Sequence, residues 1–370
     1  MASDVFMASL RTRSARGNKI SRIKQLFDAA GFAELIAEKD LVAIKTHVGE
    51  RGNDTYMNPV FVRQVVDRVR KAGGRPFVTD TNTLYLGGRS NSVDHFETAM
   101  LHGFSYSTVG APFIVADGLN SENEAMVKIN LKHFTTARVA GDIVSADSMM
   151  VISHVKGHEL SGFGGAIKNL AMGCASRRGK HDQHQLCMVV DPDKCVACGT
   201  CAENCPEGAI TMEDDSALIA REKCVGCGEC MTVCEEKAIS IDFSTDIGEF
   251  MERMTEYAFA AAHDKPDRVG YINLVMDVTP DCDCIPWSDA PIVPDIGILA
   301  SKDPVALDQA SVDLIDREAG LDRSLLEDNL EPGADKFTGL WKHTQGKVQL
   351  TYGESIGLGS TKYNLIDLDK

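Results

Sequence analysis

No apolar run in the sequence is long enough to cross a bilayer, which removes a helical membrane anchor. Nor does an apolar stretch follow Arg11, Arg13 and Arg16 near the start, as an export signal needs. Together these absences predict a soluble, cytoplasmic chain without membrane contact. Positive charge is scarce as well: 38 basic residues stand against 54 acidic ones, a formal net charge of -16. Phosphate binding needs a concentrated basic surface, so no nucleic-acid partner is expected. Nucleotide fingerprints are also missing. The glycine-rich stretch from Ser161 to Leu170 completes neither the P-loop nor the dinucleotide pattern, although a glycine-rich helix start still exposes N–H groups that favour an anion.

Cysteine, by contrast, is plentiful, with twelve in 370 residues. In a chain expected among reduced thiols, cysteines serve metals more often than disulfides. Eight of them form two runs, Cys195, Cys198, Cys201 and Cys205, then Cys224, Cys227, Cys230 and Cys234. Both read C-x2-C-x2-C-x3-C. A loop with thiolates at every third residue wraps three corners of an iron–sulfur cubane, and the fourth cysteine of each run is directed at the other cluster. The expected ligand sets are Cys195, Cys198, Cys201 and Cys234 for one 4Fe-4S cluster, and Cys224, Cys227, Cys230 and Cys205 for the second. Pro206 gives the first run its usual C-P ending, whereas Glu235 stands there in the second, a difference that touches turn geometry rather than ligation. The tails Gly208-Ala209-Ile210 and Lys237-Ala238-Ile239 repeat at one offset from each run, as two pseudo-symmetric halves require. A pair of structural zinc sites is the plainer alternative, but zinc does not ask for the third and fourth cysteines at these spacings. Gly199, Gly226 and Gly228 suit loops whose N–H groups turn inward toward sulfides.

Around these runs the pattern changes to that of an α/β body. A buried strand is expected in 39–47, and a helix from Pro59 to Ala72 with proline in its first turn, stopped by Gly73-Gly74. A strand over 76–79 leads into Asp80-Thr81-Asn82, and a helix over 93–101 follows. Further strands are expected over 149–153, 269–276 and 295–301, with helices over 246–263 and from Pro304 to Asp316, the last capped by Asp303. The alternation implies a mainly parallel sheet with flanking helices, interrupted by a small ferredoxin-like α+β two-cluster module. The expected divisions are 1–188 for the first part of the body, 189–243 for the module and 244–370 for the second part.

Functional groups of parallel sheets gather at the carboxyl ends of the strands. That places Lys45, His47, Asp80 and Asn82 together, and His154, Lys156 and His158 at the next strand end, with Lys168 and Asn169 in the helix that follows. Lysine and histidine there can bind an anion or exchange protons. The bland reading is that Lys156 and Lys168 balance buried carboxylates such as Asp80 or Asp303. Cys282 and Cys284 flank Asp283 in a proline-bounded loop. Alternate residues of an extended segment point one way, so both sulfurs could serve a metal or a third cluster, with Cys174 as a candidate third ligand. Cys187 reads as an ordinary buried cysteine, and His181 and His184 as part of a solvated loop.

The phrases Ala43-Ile44-Lys45-Thr46-His47, Ser153-His154-Val155-Lys156-Gly157-His158, Gly165-Ala166-Ile167-Lys168-Asn169-Leu170 and Ser301-Lys302-Asp303-Pro304-Val305-Ala306-Leu307-Asp308 resemble the domain of unknown function 362 family, in the branch with an inserted bacterial-type two-cluster ferredoxin. The resemblance covers nearly the whole chain and implies an iron–sulfur protein without an assigned substrate. The leading expectation is an oxidoreductase, suited to anaerobic surroundings, that relays electrons from a redox partner protein through two 4Fe-4S clusters. They would reach a Lys/His/Cys pocket holding a small anionic substrate or a further metal; the acidic surface suits a basic docking patch on that partner. Two alternatives stay open: a non-catalytic electron carrier or redox sensor that docks a partner, and a carrier of metal or clusters. A flavin site, which often has no short motif, also stays open.

Overall fold

The computed structural model describes residues 2–85, 87–184, 187–224, 226, 228–242 and 247–370. In chain order the body begins with strand β1 (Ser3–Ser9), helix α1 (Lys19–Ala29), β2 (Leu41–Lys45), α2 (Pro59–Lys71), β3 (Arg75–Asp80), α3 (Ser92–Leu101), β4 (Phe113–Val115), β5 (Ser148–His154), α4 (Ala166–Cys174) and α5 (Arg177–His184). An intervening segment carries β6 (Met188–Val190), α6 (Thr200–Glu203), β7 (Ile210–Met212), β8 (Ala217–Ile219), α7 (Glu229–Thr232) and β9 (Ile239–Ile241). The body resumes with α8 (Ile247–His263), β10 (Val269–Val275), β11 (Gly297–Ser301), α9 (Pro304–Arg317) and β12 (Tyr363–Asp367).

Eight strands make one sheet in the order β12-β1-β11-β10-β5-β2-β3-β4. Five of its pairings are parallel, and β11 alone runs against both of its neighbours. The strands carry apolar residues at consecutive positions because both faces are covered. One face sends Val42, Ile44, Val78, Met150, Ile152 and Ile272 into a core with Leu26 and Phe27 of α1 and Val62, Val65 and Val66 of α2. The alternate residues Ala43, Phe77, Met149, Val151 and Tyr271 meet Ile167 and Leu170 of α4, Phe250 and Met254 of α8, and Val305 of α9. The protein body is thus α/β with three layers. Local signals place the helices: Asn58 caps α2 with Pro59 at its first turn, and Asp303 caps α9 by accepting from the Val305 and Ala306 amides.

The intervening segment repeats itself. β6 and β8 precede the two cysteine runs, β7 and β9 follow them, and pairing is crossed: β6 with β9 and β7 with β8, both antiparallel. In each half the alanine N–H four residues beyond the last cysteine donates to that sulfur, Ala209 to Cys205 at 3.2 Å and Ala238 to Cys234 at 3.3 Å. Gly199, Gly226 and Gly228 all take positive φ, a backbone conformation that glycine reaches without steric cost. Cys227 and the expected boundary at 243–244 lie outside the described residues. Among the described residues no helix is long and apolar enough to cross a membrane.

Candidate functional site

A cavity of about 350 Å³ opens at the carboxyl ends of β2, β3 and β5, a volume in the range of small-molecule sites. His47, Asp80, His154, Lys156, His158, Lys168 and Asn169 line it, together with Cys282, Asp283 and Cys284. Lys45 sits just behind the wall, fully buried, with its ammonium 3.0 Å from Asp80 and 2.6 Å from the Asn169 side-chain oxygen Oδ1. Asn82 turns away: it bonds Asp117 and the Gly118 carbonyl.

The charges are paired tightly. Asp80 faces Lys45, with Arg89 and His95 each at 3.7 Å. Burial pushes its carboxyl up, but Lys45, His47, His95 and Arg89 outweigh that and hold it well below the usual carboxylate range. Asp283 behaves alike, pushed up by burial and pulled below its ordinary value by Lys156 and His154. Its Oδ1 takes the Lys156 ammonium and its Oδ2 lies 3.1 Å from His154 Nδ1. Lys156 also donates to the Thr55 hydroxyl at 2.7 Å. Its partner is therefore neither a ligand nor Asp80 or Asp303 but Asp283, the residue between the two loop cysteines.

Three histidines sit in opposed settings. His154 has acceptors at both nitrogens, Asp283 and the Met276 carbonyl. His47 has donors at both, the Gly49 amide at 3.0 Å and Arg89 at 3.0 Å, and burial with Arg89 holds the ring well below its ordinary pKa. His158 Nδ1 accepts from the amides of Leu160 and Ser161, each at 3.1 Å. Burial, then Lys168 and His184, lower its pKa also, so the ring is neutral and its single proton is on Nε2.

Lys168 is the uncommitted cation. It makes no hydrogen bond or ion pair among the described residues, and burial lowers its pKa to about 8 against the pull of Glu159 and Asp283. At pH 8 about half of such an amine is neutral, against roughly one in 250 for an ordinary lysine. A less basic amine is also a weaker nucleophile, so limited acetylation at pH 8 with peptide mapping should label Lys168 about tenfold faster than the exposed lysines. Equal rates would show that the pocket does not depress it.

Several expectations change in place. The anion at the glycine-rich helix start is the protein's own: Asp308 accepts from the Ala166 and Ile167 amides at 2.7 and 2.9 Å. His181 and His184 lie in α5 rather than a loop, and His184 lines the cavity, its Nδ1 3.0 Å from the Gly226 carbonyl. Cys174 is fully buried in the core, its Sγ directed at the Asn169 carbonyl of its own helix. It is not among the residues that gather at Cys282 and Cys284. His158 is: a ring nitrogen and the two sulfurs lie within 4.8 Å of one another, close enough to surround an ion. Here, however, the two sulfurs are joined as a disulfide, which offers no thiolate. Cys187 is partly exposed rather than buried.

Sequence reasoning passed over Glu50, Arg89, Glu159 and Glu229, which also line the cavity. Glu229 belongs to α7 in the second cysteine run, and burial, with Glu50 and Glu159 near, raises its carboxyl to about 7. The run itself forms part of the wall, for Gly228 sits against Leu160 as Gly226 does against His184. On the far side of that loop a smaller cavity brings Cys205 of the first run together with Cys224 and Cys230 of the second.

Among solved structures the chain is similar to the lactate racemase apoprotein from Thermoanaerobacterium thermosaccharolyticum, with 13% identity, a TM-score of 0.38, and 69% of this chain and 49% of that one covered. It is similar also to a protein from Thermotoga maritima, with 11% identity, a TM-score of 0.37, and 77% and 57% covered. The chain thus spans about half the length of each, and likenesses this distant carry no argument about chemistry. No curated protein matches it. A family model does match, over residues 42–313, which takes in the strand-end residues, the cysteine runs and the Cys282 loop, and the chain therefore belongs to the family described as domain of unknown function DUF362.

Proposed function

We propose that this protein is an iron–sulfur oxidoreductase of the DUF362 branch that carries an inserted two-cluster ferredoxin module over residues 189–243. In this reading electrons from a redox partner protein reach a small anionic substrate in the body's cavity. The observation that carries the reading is the shared wall: the loop of the second cysteine run supplies Glu229 to the cavity and rests on His184 and Leu160. A group held by Cys224, Cys230 and Cys205 therefore lies next to the pocket.

The residues fit two 4Fe-4S clusters. Cross-gathering of Cys205 with Cys224 and Cys230 is what the alternating ligand pattern asks for. The N–H donors onto Cys205 and Cys234 and the positive-φ glycines turn backbone dipoles toward the sulfurs, offsetting anionic charge. Around Cys195 the amides of Ala197 and Ala217 favour the thiolate and lower its pKa. When bound, such clusters hold and pass single electrons. The chain's own residues do the rest: Lys168 meets the substrate's negative charge, the Asp80 and Asp283 ion pairs fix the floor, and Glu229, a partly buried carboxyl on the cavity wall, can hold or release a proton beside the cluster loop.

Anaerobic iron, sulfide and zinc analysis with EPR of the reduced protein tests this. About eight irons per chain, with matching sulfide and two interacting reduced centres, are expected. Stoichiometric zinc with no iron would overturn the reading.

A further inference from the structure

We infer that Cys282 and Cys284 form a reversible dithiol–disulfide couple inside the pocket, and that its substrate is a small anionic disulfide. The inference rests on the proposed function for its source of electrons only. Four observations carry it. The sulfurs are bonded across a single intervening residue, and so short a loop removes little chain entropy, which makes a structural staple a poor account. The loop is already held without it: Asp283 is clamped by Lys156 and His154, its carbonyl takes the Glu50 amide at 2.9 Å, and the Cys284 carbonyl takes the Tyr85 hydroxyl at 2.7 Å. Both cysteines line the cavity and are partly exposed to it. Finally, His158 stands within 4.8 Å of both sulfurs with two amides on Nδ1, so the proton it can offer is on Nε2.

That last feature also separates the couple from a metal site. A histidine ligand presents a lone pair to the metal and donates its other N–H to an acceptor, whereas the Nδ1 lone pair of His158 is taken by two amides and its Nε2 carries the proton. Two electrons from a one-electron donor of the iron–sulfur class, delivered one at a time, break the S–S bond. The two sulfurs take up two protons from solvent, so the net change is one disulfide plus two electrons and two protons to two thiols. In turnover one cysteine thiolate attacks the substrate disulfide and expels one thiol, which takes up a proton. The second cysteine then attacks the mixed disulfide, releases the second thiol and closes the Cys282–Cys284 bond again. Lys168, which lines the same cavity without an ion pair among the described residues, receives the substrate's carboxylate.

The full chain, isolated anaerobically, is treated with dithiothreitol or with reduced methyl viologen, quenched with N-ethylmaleimide, and mapped by peptide mass. The peptide bearing Cys282 and Cys284 should pass from no labels to two together, and return to none with dithiobis(nitrobenzoate). Lys168→Ala should slow that anionic probe about tenfold relative to neutral dithiodipyridine. A disulfide that stays closed in the native chain under excess reductant overturns the couple, as does stoichiometric zinc captured by the reduced pair. Iron and EPR are read on the same samples. Eight irons with an inert disulfide sink the couple and leave the iron–sulfur reading intact. A disulfide that exchanges with dithiothreitol in a chain lacking clusters keeps the couple and removes its electron source.

Discussion

Asp80→Asn is expected to cost the folded chain about 3–5 kcal/mol at pH 7, because it leaves buried cations without their counter-charge. Lys45 is fully buried and Arg89 nearly so, and both address this carboxylate. The sign with pH follows from the direction of the shift. The folded carboxyl titrates below its unfolded value, so its stabilisation is complete above the unfolded value of about 4 and is lost progressively as pH falls from there through the folded value. The penalty of the substitution should therefore be largest near neutrality and shrink in acid. Urea unfolding of both chains at pH 7 and at pH 3 reads this directly. Asp67→Asn is the control: its pair with Arg63 lies more than a third exposed on α2, and its loss should cost no more than about 1 kcal/mol. Equal costs at the two sites would refute the buried-network account.

A second large effect is expected at Cys205. It stands in the first run, yet it shares a cavity with Cys224 and Cys230. Cys205→Ser should therefore reproduce Cys224→Ser, with iron falling from about eight to about four per chain, or to a three-iron centre at that site. Cys195→Ser should deplete the other centre. EPR of the three variants distinguishes the sites, and a Cys205 variant that matches Cys195→Ser instead would mean that each run closes on its own cluster.

Much of the body was legible because its signals are local. Pro59 in a first turn, Asp303 before Pro304, and apolar runs bounded by glycine announce α2, α9 and the buried strands at their observed places. Strand direction is not local, and nothing in Gly297 to Ser301 marks β11 as the strand that runs against its neighbours. The strand-end rule gathered most of the pocket, since Cβ positions at the ends of parallel strands share one edge. It could not assign partners. Asp283 and Asp308 look alike as sequence, yet one binds Lys156 and the other fills a helix start. Helix α5, Arg-Arg-Gly-Lys-His-Asp-Gln-His, has no apolar stripe to betray it, because it buries Gly179, Lys180 and Gln183 instead.

The pairing of β6 with β9 brings residues 188–190 alongside 239–241. The long excursion between them thus departs from and returns to the body through one narrow neck, while β5 and β10, its neighbours in the chain beyond α4, α5 and α8, lie side by side in the sheet. Loop-closure entropy rises only slowly with length, so the sheet can close across the excursion whether or not that segment is ordered. The sheet of the body therefore does not need the excursion in order to close.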